Sequence, residues 1–322
     1  MLEILTTGAA NCIQDLGRPG YMDIGVSRCG AMDRPALALG NALLGNSEDA
    51  AGLEIAVFPF RLKFHVRTQF AVTGASGEFR LDGKRIPVLW SMTAEPGQTL
   101  SLQPPETGAR TYLTFRGGID VPPVLGSRST DLKSRFGGLD GQGLARGDWL
   151  PVSAEVPTGP GLGIASDMFM PFGLRDAIPV RCIPAAEFSQ FKAYSRDAIL
   201  TNEWLVTGDA NRMGYRLEGE RLELERPLEL LSHGIMPGTV QVPPAGKPII
   251  QLADANTCGG YPKIATVIEA DLWRIAQAPV GARLRFVETT LDEANEELAK
   301  QATQINAVRD AARRHSALKR SA

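Results

Sequence analysis

The sequence predicts a mainly β protein built as two strand-rich halves, with a few short helices and one long C-terminal helix. Three observations carry this reading. Short stretches that alternate or run apolar recur along most of the chain, bounded by Gly, Pro, Asn and Asp. Thirty-four glycines and 22 prolines make up about a sixth of the 322 residues, which suits many strands joined by tight turns. Such short, frequent strands favour barrels or sandwiches over alternating βαβ units.

Taken in order, Asp33 reads as the N-cap of a helix with Pro35 in its first turn, running through Leu37, Leu39 and Leu43 to Gly45 and Asn46. Residues 70–73 read as a strand that turns at 74–77 (Gly-Ala-Ser-Gly) and resumes at 78–81, and Asp82 with Gly83 marks a hairpin. Residues 99–102, 111–115 and 149–152 continue the strands. A Pro/Gly-rich stretch at 151–163 breaks the periodicity and marks a boundary. The expected modules are therefore 1–152 and 164–288, with 289–322 as a C-terminal helix and tail. The second half carries strands at 204–206, 215–217, 239–242, 249–253, 264–268 and 283–286, and short helices at 185–194 and 269–277. From 290 to 315, Leu291, Ala294, Leu298, Ala302, Ile305 and Val308 recur at helical steps. Acidic residues open that helix and basic residues close it, both complementing its dipole.

Composition narrows the function classes. Hydrophobic residues at 43% support a sizeable core and exclude global disorder. Thirty-four basic against 36 acidic residues leave a net charge of -2, which argues against a duplex nucleic-acid binder. Cys12, Cys29, Cys182 and Cys258 are dispersed, the pattern of reduced thiols in a cytosolic protein. The opening residues lack a cationic segment followed by an apolar stretch, so no signal peptide is expected. No run of about eighteen apolar residues suggests a membrane span. A soluble, cytoplasmic protein is expected.

The densest polar segment lies between two apolar strands, where Asp254, Asn256, Thr257, Cys258, Tyr261 and Lys263 share one loop with Gly259 and Gly260. A carboxylate, a hydroxyl, a thiol, a phenol and an amine on a stiff scaffold make a binding site; the alternative is a decorated hairpin turn. Arg18 and Arg28 offer planar cations for carboxylate or phosphate, unless Asp15 and Asp33 neutralise them. The loop around Ser127, Arg128, Ser129, Thr130, Asp131 and Lys133 could hold an oxyanion, or its serines could cap a short helix. Arg212 sits in a further polar turn, and Gln241 on a strand faces either a pocket or a neighbour's backbone. His65, His233 and His315 are widely separated and no zinc-binding spacing occurs. Phosphate-binding P-loops, dinucleotide fingerprints and serine-hydrolase elbows are absent too. The cysteines read as small buried apolar residues, with Cys258 the exception worth testing.

Several of these segments, in this order, resemble the biotin-dependent carboxyltransferase family. They are Gln14-Asp-Leu-Gly-Arg-Pro-Gly-Tyr21, Gly30-Ala-Met-Asp33, Arg116-Gly-Gly-Ile-Asp120, Gly126-Ser-Arg-Ser-Thr-Asp131, Asn211-Arg-Met-Gly214, Gln241-Val-Pro243 and Thr257-Cys-Gly-Gly-Tyr-Pro-Lys-Ile-Ala-Thr-Val-Ile268. That family includes the C component of bacterial 5-oxoprolinase, allophanate hydrolase subunit 2 and part of urea carboxylase. The resemblance implies two cyclophilin-like β-barrel modules and an obligate hetero-oligomer with the B component, joined in the oxoprolinase system by the A component. It implies ATP consumption, with Mg2+, at the level of the complex, opening 5-oxoproline to glutamate. The chain has no biotin-attachment segment, so no covalent biotin is expected on it. Residue chemistry and motif position together assign Asp254, Tyr261 and Lys263 to catalysis, and Arg18, Arg128, Asp131, Arg212, Gln241 and Thr257 to substrate binding. Alternatives are a carboxyltransferase component acting on urea or a guanidine, and a non-catalytic regulatory binding protein. One departure stands out: where relatives carry Gly-Pro-Gln/Glu, this chain reads Ala185-Ala186-Glu187.

Overall fold

The computed structural model describes residues 1–152, 161–164 and 177–320, with side chains to 315. Most of the expected boundary at 151–163 lies outside the described residues. The chain divides into two compact units. The first comprises Met1–Arg18, Cys29–Pro171 and Ala302–Ala322; the second comprises Pro19–Arg28 and Phe172–Gln301.

Unit 1 is a nine-stranded sheet. Its strands are β1 (Leu2–Thr6), β2 (Cys12–Gln14), β3 (Gly52–Ile55), β4 (Phe60–Phe64), β5 (Thr68–Leu81), β6 (Lys84–Arg85), β7 (Trp90–Ala94), β8 (Thr99–Phe115) and β9 (Trp149–Leu150). The order is β2-β3-β8-β4-β1-β9, and β5 pairs with β6, β7 and β8. Residues 74–77 do not turn the chain. They bend one continuous 14-residue strand, with register shifts at Gly74/Ser76, Ser76/Gly77 and Gly77/Phe79 against β8. A Cβ on Gly77 would lie 2.9 Å from the Pro105 Cα, so glycine here permits backbone contact across a bulge. The hairpin at Asp82 and Gly83 does form, with φ of 45° and 78°, the left-handed pair that a tight two-residue turn requires.

Phe60, Phe64, Phe70, Phe79 and Phe115 fill the core of this unit with Leu53, Leu62, Leu102 and Leu113. Helix α1 (Arg34–Leu44) begins where the sequence places it. The Asp33 carboxylate accepts from the Ala36 N–H at 2.9 Å, and Gly45 closes the helix at φ 67°. Every residue from Ala36 to Leu44 is buried.

Unit 2 contains a closed seven-strand barrel, ordered β10-β17-β14-β15-β12-β11-β18. The strands are β10 (Ile178–Pro184), β11 (Glu203–Ala210), β12 (Gly214–Glu218), β14 (Thr239–Gln241), β15 (Ile249–Gln251), β17 (Lys263–Val267) and β18 (Arg283–Glu288). A separate ribbon pairs β13 (His233–Gly234) with β16 (Cys258–Gly259). The barrel closes through a parallel pairing of β10 with β18, from Ile178↔Leu284 to Cys182↔Glu288; its other pairings are antiparallel. Val180, Trp204, Ile250, Ile264 and Phe286 are buried in this unit.

Helix α2 (Ala193–Thr201) starts later than the sequence suggests. Residues 188–190 form one tight 3-10 turn, and Lys192 is extended (ψ 148°), which separates the turn from the helix. Helix α3 (Leu272–Ala276) follows a 3-10 turn at Glu269–Asp271. Helix α4 (Leu291–Arg320) opens on a reciprocal cap: Glu293 N donates to Thr290 Oγ1 at 3.2 Å, and Thr290 N donates to Glu293 Oε2 at 3.1 Å. Among the described residues no helix is long and apolar enough to cross a membrane.

Candidate functional site

A sheltered group of titratable side chains in unit 2 gathers around Lys263, the first residue of β17. Its ammonium donates to Glu187 Oε2 at 2.9 Å and to His233 Nε2. The same carboxylate oxygen accepts the Lys263 backbone N–H at 3.0 Å. Lys263 and Glu187 are 14% and 15% exposed, so the pair is sheltered yet reachable from solvent. His233 Nδ1 lies 2.9 Å from the Leu231 carbonyl oxygen. Burial alone would raise the Glu187 carboxyl. The hydrogen bonds from Lys263 and its charge outweigh that, and hold it below the ordinary carboxylate range.

Next to Lys263 in the barrel register stands Gln241 on β14. Its buried amide is fixed on both sides: Gln251 Nε2 donates to its Oε1 at 3.0 Å, and its Nε2 donates to the Tyr261 carbonyl at 3.4 Å. A Cβ on Gly259 would come within 2.8 Å of that Nε2. A side chain there would displace the glutamine amide from its two partners. The Thr257 carbonyl accepts from Ile235 N at 3.0 Å, while the Tyr261 side chain is exposed. Cys258 is an exposed free thiol that pairs with Gly234 across the ribbon. Strand alternation therefore turns it to the face opposite His233.

Asp254, on the preceding stretch of the same loop, is held by Arg212 in a buried two-point ion pair. Ser27 Oγ donates to the neighbouring Ala255 carbonyl at 2.8 Å, and Arg28 pairs with Glu269 at 3.5 Å. Asp254 and Lys263 thus belong to two different ion pairs of unit 2.

Arg18, Arg128 and Asp131 lie in unit 1. There Asp15 is the hub. Its carboxylate accepts from Gly17 N, Ser127 Oγ, Ser129 Oγ and Arg128 N. Arg18 is wholly buried. It donates through Nη2 to the Ser129 carbonyl, lies 4.6 Å over the Phe136 ring, and has no hydrogen-bond partner for Nε or Nη1 among the described residues. The Arg128 side chain donates to the Val121 carbonyl at 2.9 Å and approaches Asp120. Asp131 accepts from Lys133 N and Ser134 N, closing a turn rather than a helix. Among the described residues no group of three or more His, Cys, Asp or Glu side chains is arranged to hold a metal ion.

Residues 24–288 match the family model described as carboxyltransferase domain, subdomain A and B. The chain belongs to this carboxyltransferase-domain family. It is 42% identical over 297 residues to the 5-oxoprolinase C component of Escherichia coli, covering 91% of this chain and 93% of that protein. It is 43% identical over 294 residues to the 5-oxoprolinase C component of Haemophilus influenzae, with the same coverage. Among solved structures, Kluyveromyces lactis urea amidolyase aligns with a TM-score of 0.87 at 30% identity, covering 95% of this chain and 20% of that much longer one.

Two residues of this candidate site escape sequence reasoning. Glu187 sits in the departure from the family pattern, where the change draws the eye to the backbone rather than to the carboxylate. His233 is one of three scattered histidines. A usable signal does exist for Glu187: a carboxylate placed just after a barrel strand.

Proposed function

We propose that the chain is the C component of an ATP-dependent 5-oxoprolinase, opening 5-oxoproline or a close cyclic amide to glutamate together with the A and B components. The observation that carries this reading is the near full-length identity to two bacterial 5-oxoprolinase C components. A lactam resists water because attack must overcome amide resonance. ATP, held with Mg2+ at the level of the complex, supplies the activation. This chain contributes fixed hydrogen-bond donors where charge develops on the lactam oxygen. In this reading Lys263 is the donor that meets the reacting carbonyl, and Gln241 and the backbone from Thr257 to Tyr261 shape the floor beside it. The Arg212–Asp254 pair stiffens the loop. Arg18, Arg128 and the Asp15 hub form a second polar centre in unit 1, suited to anionic groups. Four free thiols fit a reducing compartment such as the cytoplasm.

A second reading, a component of a urea-carboxylating system, is favoured by the fold agreement with urea amidolyase. Co-expression with candidate A and B components, followed by an assay of ATP-dependent glutamate release from 5-oxoproline, tests the first. Bicarbonate-dependent urea consumption without glutamate release reverses the order of the two.

A further inference from the structure

A lysine ammonium has three N–H bonds directed tetrahedrally. In Lys263 one is taken by Glu187 Oε2 and one by His233 Nε2. The direction of the third is therefore set by the other two. Glu187 also holds the backbone N–H of the same residue, which fixes both ends of the lysine. His233 is held in place by the ribbon register His233↔Gly259.

The protonation of His233 follows from its partners. The Leu231 carbonyl near Nδ1 can only accept, so Nδ1 carries the hydrogen. The ammonium of Lys263 can only donate, so Nε2 carries the lone pair. His233 is thus neutral. Lys263 and Glu187 lie beside it, and Cys258, on the paired strand, lies opposite Gly234. A proton added at Nε2 would set two like charges against each other and withdraw the ammonium from its fixed direction.

We propose that His233 is a positioning residue which, while neutral, aims the free N–H of Lys263 at the amide oxygen of the substrate. This deepens the reading of Lys263 as the reacting donor and rests on it. Because Glu187 already balances the ammonium charge, the site selects a neutral carbonyl oxygen that gains charge during reaction over a free anion.

The test has two arms. In the full-length chain alone, long-range 15N–1H NMR reads the histidine tautomers, with the His233 signals assigned by their loss in His233→Gln. The expected result at neutral pH is an Nδ1–H tautomer whose titration midpoint rises in Lys263→Met. In the reconstituted complex, His233→Ala lowers kcat by about 10²-fold, the loss expected from a donor displaced by about 1 Å, with little change in KM. His233→Gln, whose amide oxygen can still accept from Lys263, recovers most of that loss. An Nε2–H tautomer, a midpoint indifferent to Lys263→Met, or wild-type kcat in His233→Ala overturns the proposal. If the complex does not open 5-oxoproline at all, the functional reading falls, while the NMR arm still decides the geometry.

Discussion

Arg212 and Asp254 meet side by side in the interior of unit 2, Nε to Oδ2 and Nη2 to Oδ1, each at 2.8 Å. Both side chains are more than nine-tenths buried. Two parallel charge-assisted bonds fix the planes of the two groups as well as their distance. Removing one partner strands the other charge away from water, a loss of about 3–5 kcal/mol. Asp254→Ala is therefore expected to lower the urea midpoint far more than the paired replacement Arg212→Met with Asp254→Leu. Equilibrium unfolding of the two variants beside wild type checks this. Equal losses would show that the pair has no coupled role.

The Lys263–Glu187 pair makes stability depend on acid. The Glu187 carboxyl is held below its ordinary value in the folded chain. Its contribution is thus complete above ~4.3, the unfolded carboxylate value, and is lost as pH falls through the depressed folded value. Lys263→Met is expected to be less stable than wild type at pH 7, with the gap narrowing on acidification below that range. Urea unfolding at neutral pH and near the acid limit of the native state gives the comparison.

Gly259 and Gly234 form a matched pair for testing the loop. A Cβ on Gly259 would meet the fixed Gln241 amide at 2.8 Å, whereas a Cβ on Gly234 would meet nothing within 4 Å. Gly259→Ala is expected to cost about 1–3 kcal/mol from overpacking and to impair turnover in the complex. Gly234→Ala is expected to leave both nearly unchanged. Thermal unfolding and steady-state kinetics of the two variants decide it.

Thiol reactivity should single out one residue. Cys258 is exposed, while Cys12, Cys29 and Cys182 are buried. Burial, aided by the Glu288 charge, pushes the Cys182 thiol up to about 12, which suppresses its thiolate. A disulfide reagent is expected to titrate one thiol in the native chain and four after denaturation. Cys258→Ser should abolish the native reaction.

The parts of the fold legible in the sequence are those whose signals are local. Asp33, Pro35 and Gly45 mark both ends of α1 within a dozen residues, and Asp82 with Gly83 fixes a hairpin without reference to anything distant. Residues 74–77 mislead because glycine permits a turn and a bulge alike. What decides between them is the length of β8, the 17-residue strand that pairs with β5 from Phe70 to Leu81. Residues 185–187 carry a helical composition, yet Glu187 is committed to a lysine 76 positions away. The polar loop from Asp254 to Lys263 stands out for its density, and the structure divides it between two ion pairs. His233 lies 30 positions from the lysine it touches. No spacing rule links the two, because their meeting depends on a ribbon formed outside the barrel.

The seam of the barrel has a consequence for biosynthesis. Its first strand, β10, can find its parallel mate only after β18, more than a hundred positions downstream, has been made. The segment Pro19–Arg28, which belongs to the same unit, emerges from the ribosome earlier still. One edge of β10 must therefore wait, unpaired, until β18 is translated. An exposed strand edge in that interval is an aggregation hazard. Nascent chains stalled before Arg283 should bind chaperones and resist release until the final strand arrives.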